Sequence, residues 1–244
     1  VAVNAPLVAG APLDWVGDRF RPDVRPFIAG RHFDGSLAQL EAVATLLARC
    51  HDSLRRFPGR GDVRAASEAR SGRLEAIRHL VAGWLAGSAI DAFGERAGWV
   101  AEHREWLLEM TANFDPRVEC VAGAQCVHGE IHQGNVLFGE DGAAVLVDLE
   151  EAVQVYAPPA WDLAYFVQRF ILADDPEPRV LPQRVAAVAG AYGELPALAP
   201  MMRQLAWFAM AAIFDLHLTH RVVTPVAEYQ KFVQLERQAA SCLG

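Results

Sequence analysis

Lysine is almost missing from this sequence. Lys231 is the only one, and every other basic residue is arginine, so Lys and Arg together number 22 against 30 Asp and Glu. The net charge of −8 excludes nucleic acid as an expected partner, because a phosphate backbone needs a basic surface. It is compatible with a cationic small molecule. Long apolar runs are also missing. The best, Leu205 to Ile213, is far shorter than the roughly 18–20 residues of a membrane span and is followed by Asp215 and His217, so no membrane partner is expected. No charged start leads into a long apolar core, so no signal peptide is expected. Cysteine is sparse: Cys50, Cys120, Cys126 and Cys242 form no CxxC pair and no zinc-like spacing, which reads as reduced thiols in a cytoplasmic protein. Internal repeats and low-complexity segments are absent. What is present is an ordinary globular balance, 52% hydrophobic and 21% charged, in a chain long enough for a sizeable core.

Residues 1–30 are rich in Gly and Pro and read as strand and linker. From Ser36 the pattern turns helical: Leu37, Leu40, Val43, Ala44, Leu47 and His51 recur at helical spacing behind a Ser N-cap, and Pro58-Gly59 ends the run. Further helices are expected over about 64–86, 90–114 with a break near Gly94–Gly98, 160–173, 178–192, 198–221 and 225–241. The stretch 121–150 differs, with short β-like runs punctuated by Gly. A helical chain does not need such an insert for packing, so its residues are the place to look for chemistry.

The insert runs from His128-Gly129-Glu130 through Asn135 to Val147-Asp148-Leu149-Glu150. Asp141-Gly142 is a two-residue hairpin signal. Counting outward from that turn pairs Phe138 with Val145, Val136 with Val147, and Asn135 with Asp148. Cross-strand neighbours stand roughly 5 Å apart at Cβ. An amide oxygen and a carboxylate so placed suit a hard cation such as Mg²⁺, with Glu130 held nearby on the entering loop. Phosphoryl transfer needs this set: a metal to neutralise phosphate charge and a carboxylate to orient the attacking hydroxyl. The spacing His-x-acid-x4-Asn, with an acid 13 residues on, follows the kinase catalytic-loop and metal-loop pattern.

The segment His128–Asn135 resembles the HGDxHxxN signature of the aminoglycoside phosphotransferase and choline kinase superfamily. Val147–Glu150 resembles its metal segment, Pro159-Ala160-Trp161-Asp162-Leu163-Ala164 its following helix start, and Val24–Arg31 its hinge, with the helix ending at Cys50-His51 after it. The resemblance implies an α+β, protein-kinase-like fold, represented in this chain mostly by its α-helical C-lobe with a small β-hairpin insert. Residues 1–32 would be a remnant of the N-lobe and hinge, with the N-lobe largely missing from the chain, and 33–244 the C-lobe. It implies Glu130 at the catalytic position and His128 as the loop's structural histidine. Asp162 would brace the loop by accepting backbone N–H bonds. Asn135, Asp148 and Glu150 would face the metal, and Val24, Arg25 and Phe27 would meet the adenine of ATP.

Two positions depart from the family pattern. Glu130 stands where the family has Asp, one methylene longer, and a misplacement of about 1 Å can cost on the order of 100-fold. The family's N-lobe lysine has no counterpart, since the single lysine is Lys231. The expected function is ATP- and Mg²⁺-dependent phosphoryl transfer to a hydroxyl of a small molecule. An aminoglycoside or other basic antibiotic is the first choice of acceptor; a sugar, choline or a homoserine-type metabolite is the alternative. A non-catalytic kinase-like binding protein is the other reading. His132 reads equally as a packing residue or a substrate contact. Asp215, His217, His220, Glu228 and Glu236 fall on late helices that wall the acceptor site in this family. Trp84, Trp99, Trp106, Trp207, Phe208 and Phe214 read as core.

Overall fold

This computed structural model describes residues 29–87, 90–149, 151–173, 177–193, 195–220, 222 and 224–242. Helix α1 spans Leu37–Leu54. The Ser36 hydroxyl accepts from the Gln39 N–H, and Leu40, Val43, Ala44, Leu47 and His51 form its buried stripe. Helix α2, Arg60–Ala86, starts four residues before the periodic pattern suggested, because Gly59 ends the preceding turn and hands directly into it. Its buried residues, from Val63 to Leu85, recur every three or four positions, while Arg64 and Glu68 pair on the solvent side.

The break expected near Gly94 is present. A 3-10 stretch over Ile90–Arg96 contains Gly94 at φ 56°, and it is followed by α3, Ala97–Glu102, and α4, Arg104–Asn113. After the insert come α5, Ala160–Phe166, α6, Leu181–Tyr192, α7, Ala199–His220, and α8, Val226–Cys242. Helix α5 does not stop at Phe166 but widens into a π turn over Val167–Ile171. The apolar helix α7 packs against α2, α5 and α8, and Trp207, Phe208 and Phe214 are buried on it, as expected. Trp99 is buried, while Trp84 and Trp106 pack partly buried against the same core. Among the described residues no helix is long and apolar enough to cross a membrane. Cys50, Cys120 and Cys126 are free thiols.

Two small antiparallel sheets position the insert. In the first, β1, Gln125–Cys126, pairs with β4, Tyr156–Ala157, an element with no separate signal in the sequence. In the second, β2, Val136–Phe138, pairs with β3, Ala144–Leu146. Arg31 exchanges both backbone hydrogen bonds with Phe138, 2.9 and 2.8 Å, and so extends this hairpin on its other edge.

The hairpin corrects the expected register. Phe138 faces Ala144 and Val136 faces Leu146, one residue away from the outward count. The cause lies in the turn. Gly142 N–H donates to Gly139 C=O and Gly139 N–H to Ala143 C=O, so the loop has three residues, Glu140 to Gly142. Of these, Gly142 alone takes positive φ (77°), the form of a type I turn closed by a left-handed glycine. Asp141 spends its carboxylate on the Ala143 N–H. A one-residue slip inverts which face each side chain takes. Asn135 therefore faces Val147, whose N–H donates to the Asn135 carbonyl at 3.0 Å, and Asp148 lies one step beyond the paired strands.

Candidate active site

The loop 128–135 leaves β1 and is clamped by the first turn of α5. Asp162 is fully buried there. Its Oδ2 accepts the His128 N–H at 2.7 Å and its Oδ1 the Gly129 N–H at 2.9 Å. His51, at the end of α1, adds its Nε2 to Oδ2 at 2.9 Å, and the Tyr192 hydroxyl meets His51 Nδ1 at 2.8 Å. Burial opposes ionisation of Asp162, but the hydrogen bond from His51, the electrostatic pull of the His51 and His128 rings and the Gly129 N–H outweigh it and hold the carboxyl below its ordinary range. Burial, with Asp162 nearby, pushes the Tyr192 phenol up to about 12, so it remains a donor. The chain of donors thus runs from Tyr192 through His51 to Asp162.

Gly129 is held from both sides. Its carbonyl accepts from Trp161 Nε1 at 3.2 Å, and its φ is +92°. A Cβ there would stand 3.0 Å from Glu151 Cβ and 3.2 Å from the Glu151 carbonyl, so glycine is required by both conformation and space. His128 is buried. Its Nδ1 accepts the Glu130 N–H at 3.4 Å, which leaves the proton on Nε2 to reach the Val147 carbonyl at 3.3 Å. It thereby ties the loop to the segment after β3 that carries Asp148.

Asn135 is buried, and its side-chain amide donates to the Glu130 carbonyl at 3.0 Å. The nitrogen is committed to the loop, so the amide oxygen is the atom available to a cation. Asp148 is exposed and adopts φ 59°; among the described residues it is the non-glycine residue with positive φ. Such a conformation costs on the order of 1 kcal/mol or more and collects at functional positions. Glu150, Val24, Arg25 and Phe27 lie outside the described residues. Among the described residues, no three His, Cys, Asp or Glu side chains converge as a metal site.

Glu130 sits between two cavities. One, of about 100 Å³, is lined by Arg70, Glu151, Trp161, Tyr165 and Phe208 beside Gly129 and Glu130. There Arg70 pairs with Glu151 at 2.6 Å and lies over the Phe208 ring. The other, an open cleft of about 380 Å³, is lined by Glu130, His132, Gln133, Gly134, Arg169, Ala173 and Lys231. His132 Nδ1 accepts the Gly134 N–H at 3.0 Å; burial, against the pull of Glu130, lowers its pKa. The late-helix acids divide. Glu236 is buried and accepts from Trp106 and Arg203, and Asp215 accepts from Thr219, so both have structural partners.

His51 and Tyr192, which stand behind the loop, and Arg169 and Lys231, which line the cleft, are not among the residues the motifs single out. His51 was visible only as the end of a helix, and the solitary lysine was the one signal for Lys231.

The phosphotransferase enzyme family, APH, matches residues 23–208, which takes in the clamped loop, Asp148 and Asp162 but ends before α8. Two solved structures are similar at a TM-score of 0.49. An aminoglycoside phosphotransferase from Alicyclobacillus acidocaldarius subsp. acidocaldarius DSM 446 is 18% identical, over 89% of this chain and 68% of that one. A spectinomycin phosphotransferase in complex with ADP and spectinomycin is 15% identical, over 89% of this chain and 70% of that one. No curated protein matches the chain. With the family match extending over more than half of its 244 residues, this chain belongs to the phosphotransferase enzyme family.

Proposed function

We propose that this protein is an ATP-dependent O-phosphotransferase acting on a hydroxyl of a small molecule. The observation that carries the reading is the clamp on the loop 128–135, in which buried Asp162 accepts two consecutive backbone N–H groups immediately before Glu130. Clamping the backbone on both sides of Gly129 presents the Glu130 carboxylate from a fixed loop. Rigid placement is what a positioned catalytic group needs.

In this reading Glu130 orients the acceptor hydroxyl and takes its proton. The new bond joins that oxygen to the γ-phosphorus, the bond from phosphorus to the bridging oxygen breaks, and ADP leaves. Asn135 and Asp148 fit Mg²⁺, since both offer hard oxygen donors and the Asn135 nitrogen is already engaged. When bound, the ion neutralises charge on the transferred phosphate. His128 and Asn135, through their bonds to the Val147 and Glu130 carbonyls, keep the two halves of this site in register.

The test is label transfer from γ-labelled ATP, with Mg²⁺, to a panel of hydroxylated compounds: aminoglycosides, sugars, choline and homoserine. Transfer that is lost in Asp148→Ala supports the reading. ATP binding without transfer to any compound would favour the kinase-like binding protein, the alternative that glutamate at position 130 keeps open.

A further inference from the structure

Net charge is what points to a cationic acceptor, and net charge is a poor guide to one cleft. Among the described residues, the open cleft beside Glu130 carries two cations, Arg169 and Lys231, against the one carboxylate of Glu130. His132 adds no charge near neutral pH, because burial lowers its pKa. The single lysine of a chain with net charge −8 thus lines this cleft.

Both cations are placed by specific features of the fold. Arg169 lies in the π turn over Val167–Ile171, where its four neighbours are buried and it alone is partly open. π turns inside helices are frequent at functional sites. The Arg169 carbonyl accepts from Gln133 Nε2 at 2.9 Å, which ties this turn to the loop that bears Glu130. The Arg169 Nε is enclosed and has no hydrogen-bond partner among the described residues. Lys231 comes from α8, which lies beyond the part of the chain matched by the family. Its pairing with Glu228, at 3.2 Å, joins two groups each more than a third exposed, so it competes weakly with a ligand.

We infer that the cleft takes an acceptor bearing an anionic group, a carboxylate or a phosphate, held by Arg169 and Lys231 while its hydroxyl lies at Glu130. The inference rests on the proposed phosphotransfer for the role of Glu130, but the anion site itself does not require turnover. Arg presents a planar fork suited to either oxyanion and Lys a mobile point charge. Among the described residues the two cations share this cleft with the single carboxylate of Glu130, so an anionic group entering it meets a surplus of positive charge.

The experiment separates binding from transfer. Calorimetric affinities and, with ATP and Mg²⁺, transfer rates are measured for matched compounds: glycerate and glycerol 3-phosphate against glycerol and 3-amino-1,2-propanediol, and gluconate and glucose 6-phosphate against glucose and glucosamine. The expected result is that an acid in one series is preferred over its neutral and cationic counterparts by about 10- to 100-fold, the range for a hydrogen bond to a charged group. Lys231→Met and Arg169→Gln should each shrink that preference. Lys231 is partly exposed and Arg169 uses its backbone, not its side chain, to hold Gln133, so both variants should fold; a melting curve checks this. The two acids in each series separate a carboxylate from a phosphate site. Acid binding without transfer would uphold the anion site and overturn the proposed activity. No acid preference in either series, preference for the amines, or variants that weaken ATP binding and leave acid affinity intact would each overturn the inference.

Discussion

His51 Nε2 lies 2.9 Å from Asp162 Oδ2, with both side chains almost wholly removed from solvent. The pair joins the end of α1 to the start of α5, 111 residues apart, and sits directly behind the backbone of His128 and Gly129. A buried carboxylate is tolerable only when its oxygens are satisfied. Two amides and one imidazole satisfy these.

His51→Ala should therefore destabilise the fold by about 3 kcal/mol, since it leaves Asp162 short of a partner and the Tyr192 hydroxyl without its acceptor. His51→Gln places an amide nitrogen near the former Nε2 and should recover part of the loss. Urea midpoints measure the stability, and kcat measured on the folded fraction tests positioning. A kcat unchanged in a folded His51→Ala protein would mean that the backbone clamp suffices without the histidine.

Asp162 also predicts an acid limb in stability. Its folded pKa is depressed from 3.8, so its ionised form stabilises the fold above that value and the contribution is lost as pH falls through 3.8 toward the folded value. In that window the unfolded chain binds a proton that the folded chain does not. Asp162→Asn should be less stable at pH 7 by about 2–3 kcal/mol, and its stability should fall less steeply below pH 3.8, by up to about 1.4 kcal/mol per pH unit. Urea titrations from acid to neutral pH give both numbers, and parallel curves for the two proteins would refute the assignment.

Why some of this was legible in the sequence and some was not follows from range. The helices were readable because a buried stripe such as Leu40, Val43, Leu47 is written at local spacing. The loop 128–135 was readable because its residue types and spacing are dictated by chemistry. The hairpin register was not, since Asp141-Gly142 is equally at home in a two-residue loop and in a three-residue loop with one left-handed glycine, and the difference of one residue is set by the Arg31 and Gly139 backbone bonds. The 125–157 pairing and the His51–Asp162 bond were hidden because both join distant residues through contacts that leave no periodic trace.

Asp148 should show a trade between stability and activity. Its φ of 59° suits glycine better than any side chain. Asp148→Gly should remove strain and raise stability by about 1 kcal/mol, less the entropy gained by a more flexible unfolded chain. Asp148→Ala keeps the strain and gains nothing. Both should abolish transfer, because the carboxylate proposed to hold Mg²⁺ is gone. A stabilised Asp148→Gly with near-normal Mg²⁺-dependent turnover would remove Asp148 from the metal site.

Glu130 gives the most direct test of the chemistry. If its carboxylate takes the hydroxyl proton, Glu130→Gln should lower kcat by about 10²–10⁴-fold, the range for a general base, with ATP affinity nearly unchanged. The amide keeps the shape and cannot accept the proton. Glu130→Asp is the finer probe. The backbone at Gly129 is locked by Asp162 and Trp161, and Asn135 holds the Glu130 carbonyl, so the loop cannot slide to compensate for a shorter side chain. The missing methylene must appear as displacement of the carboxylate by about 1 Å, worth on the order of 100-fold if the site is built for Glu. A fall of that size, with KM for ATP unchanged, is the expected outcome. A gain in rate would mean that the site is built for the shorter acid and that Glu130 slows it. Indifference to both substitutions in an active enzyme would place the base elsewhere, and Glu151, across the adjoining cavity, would be tested next.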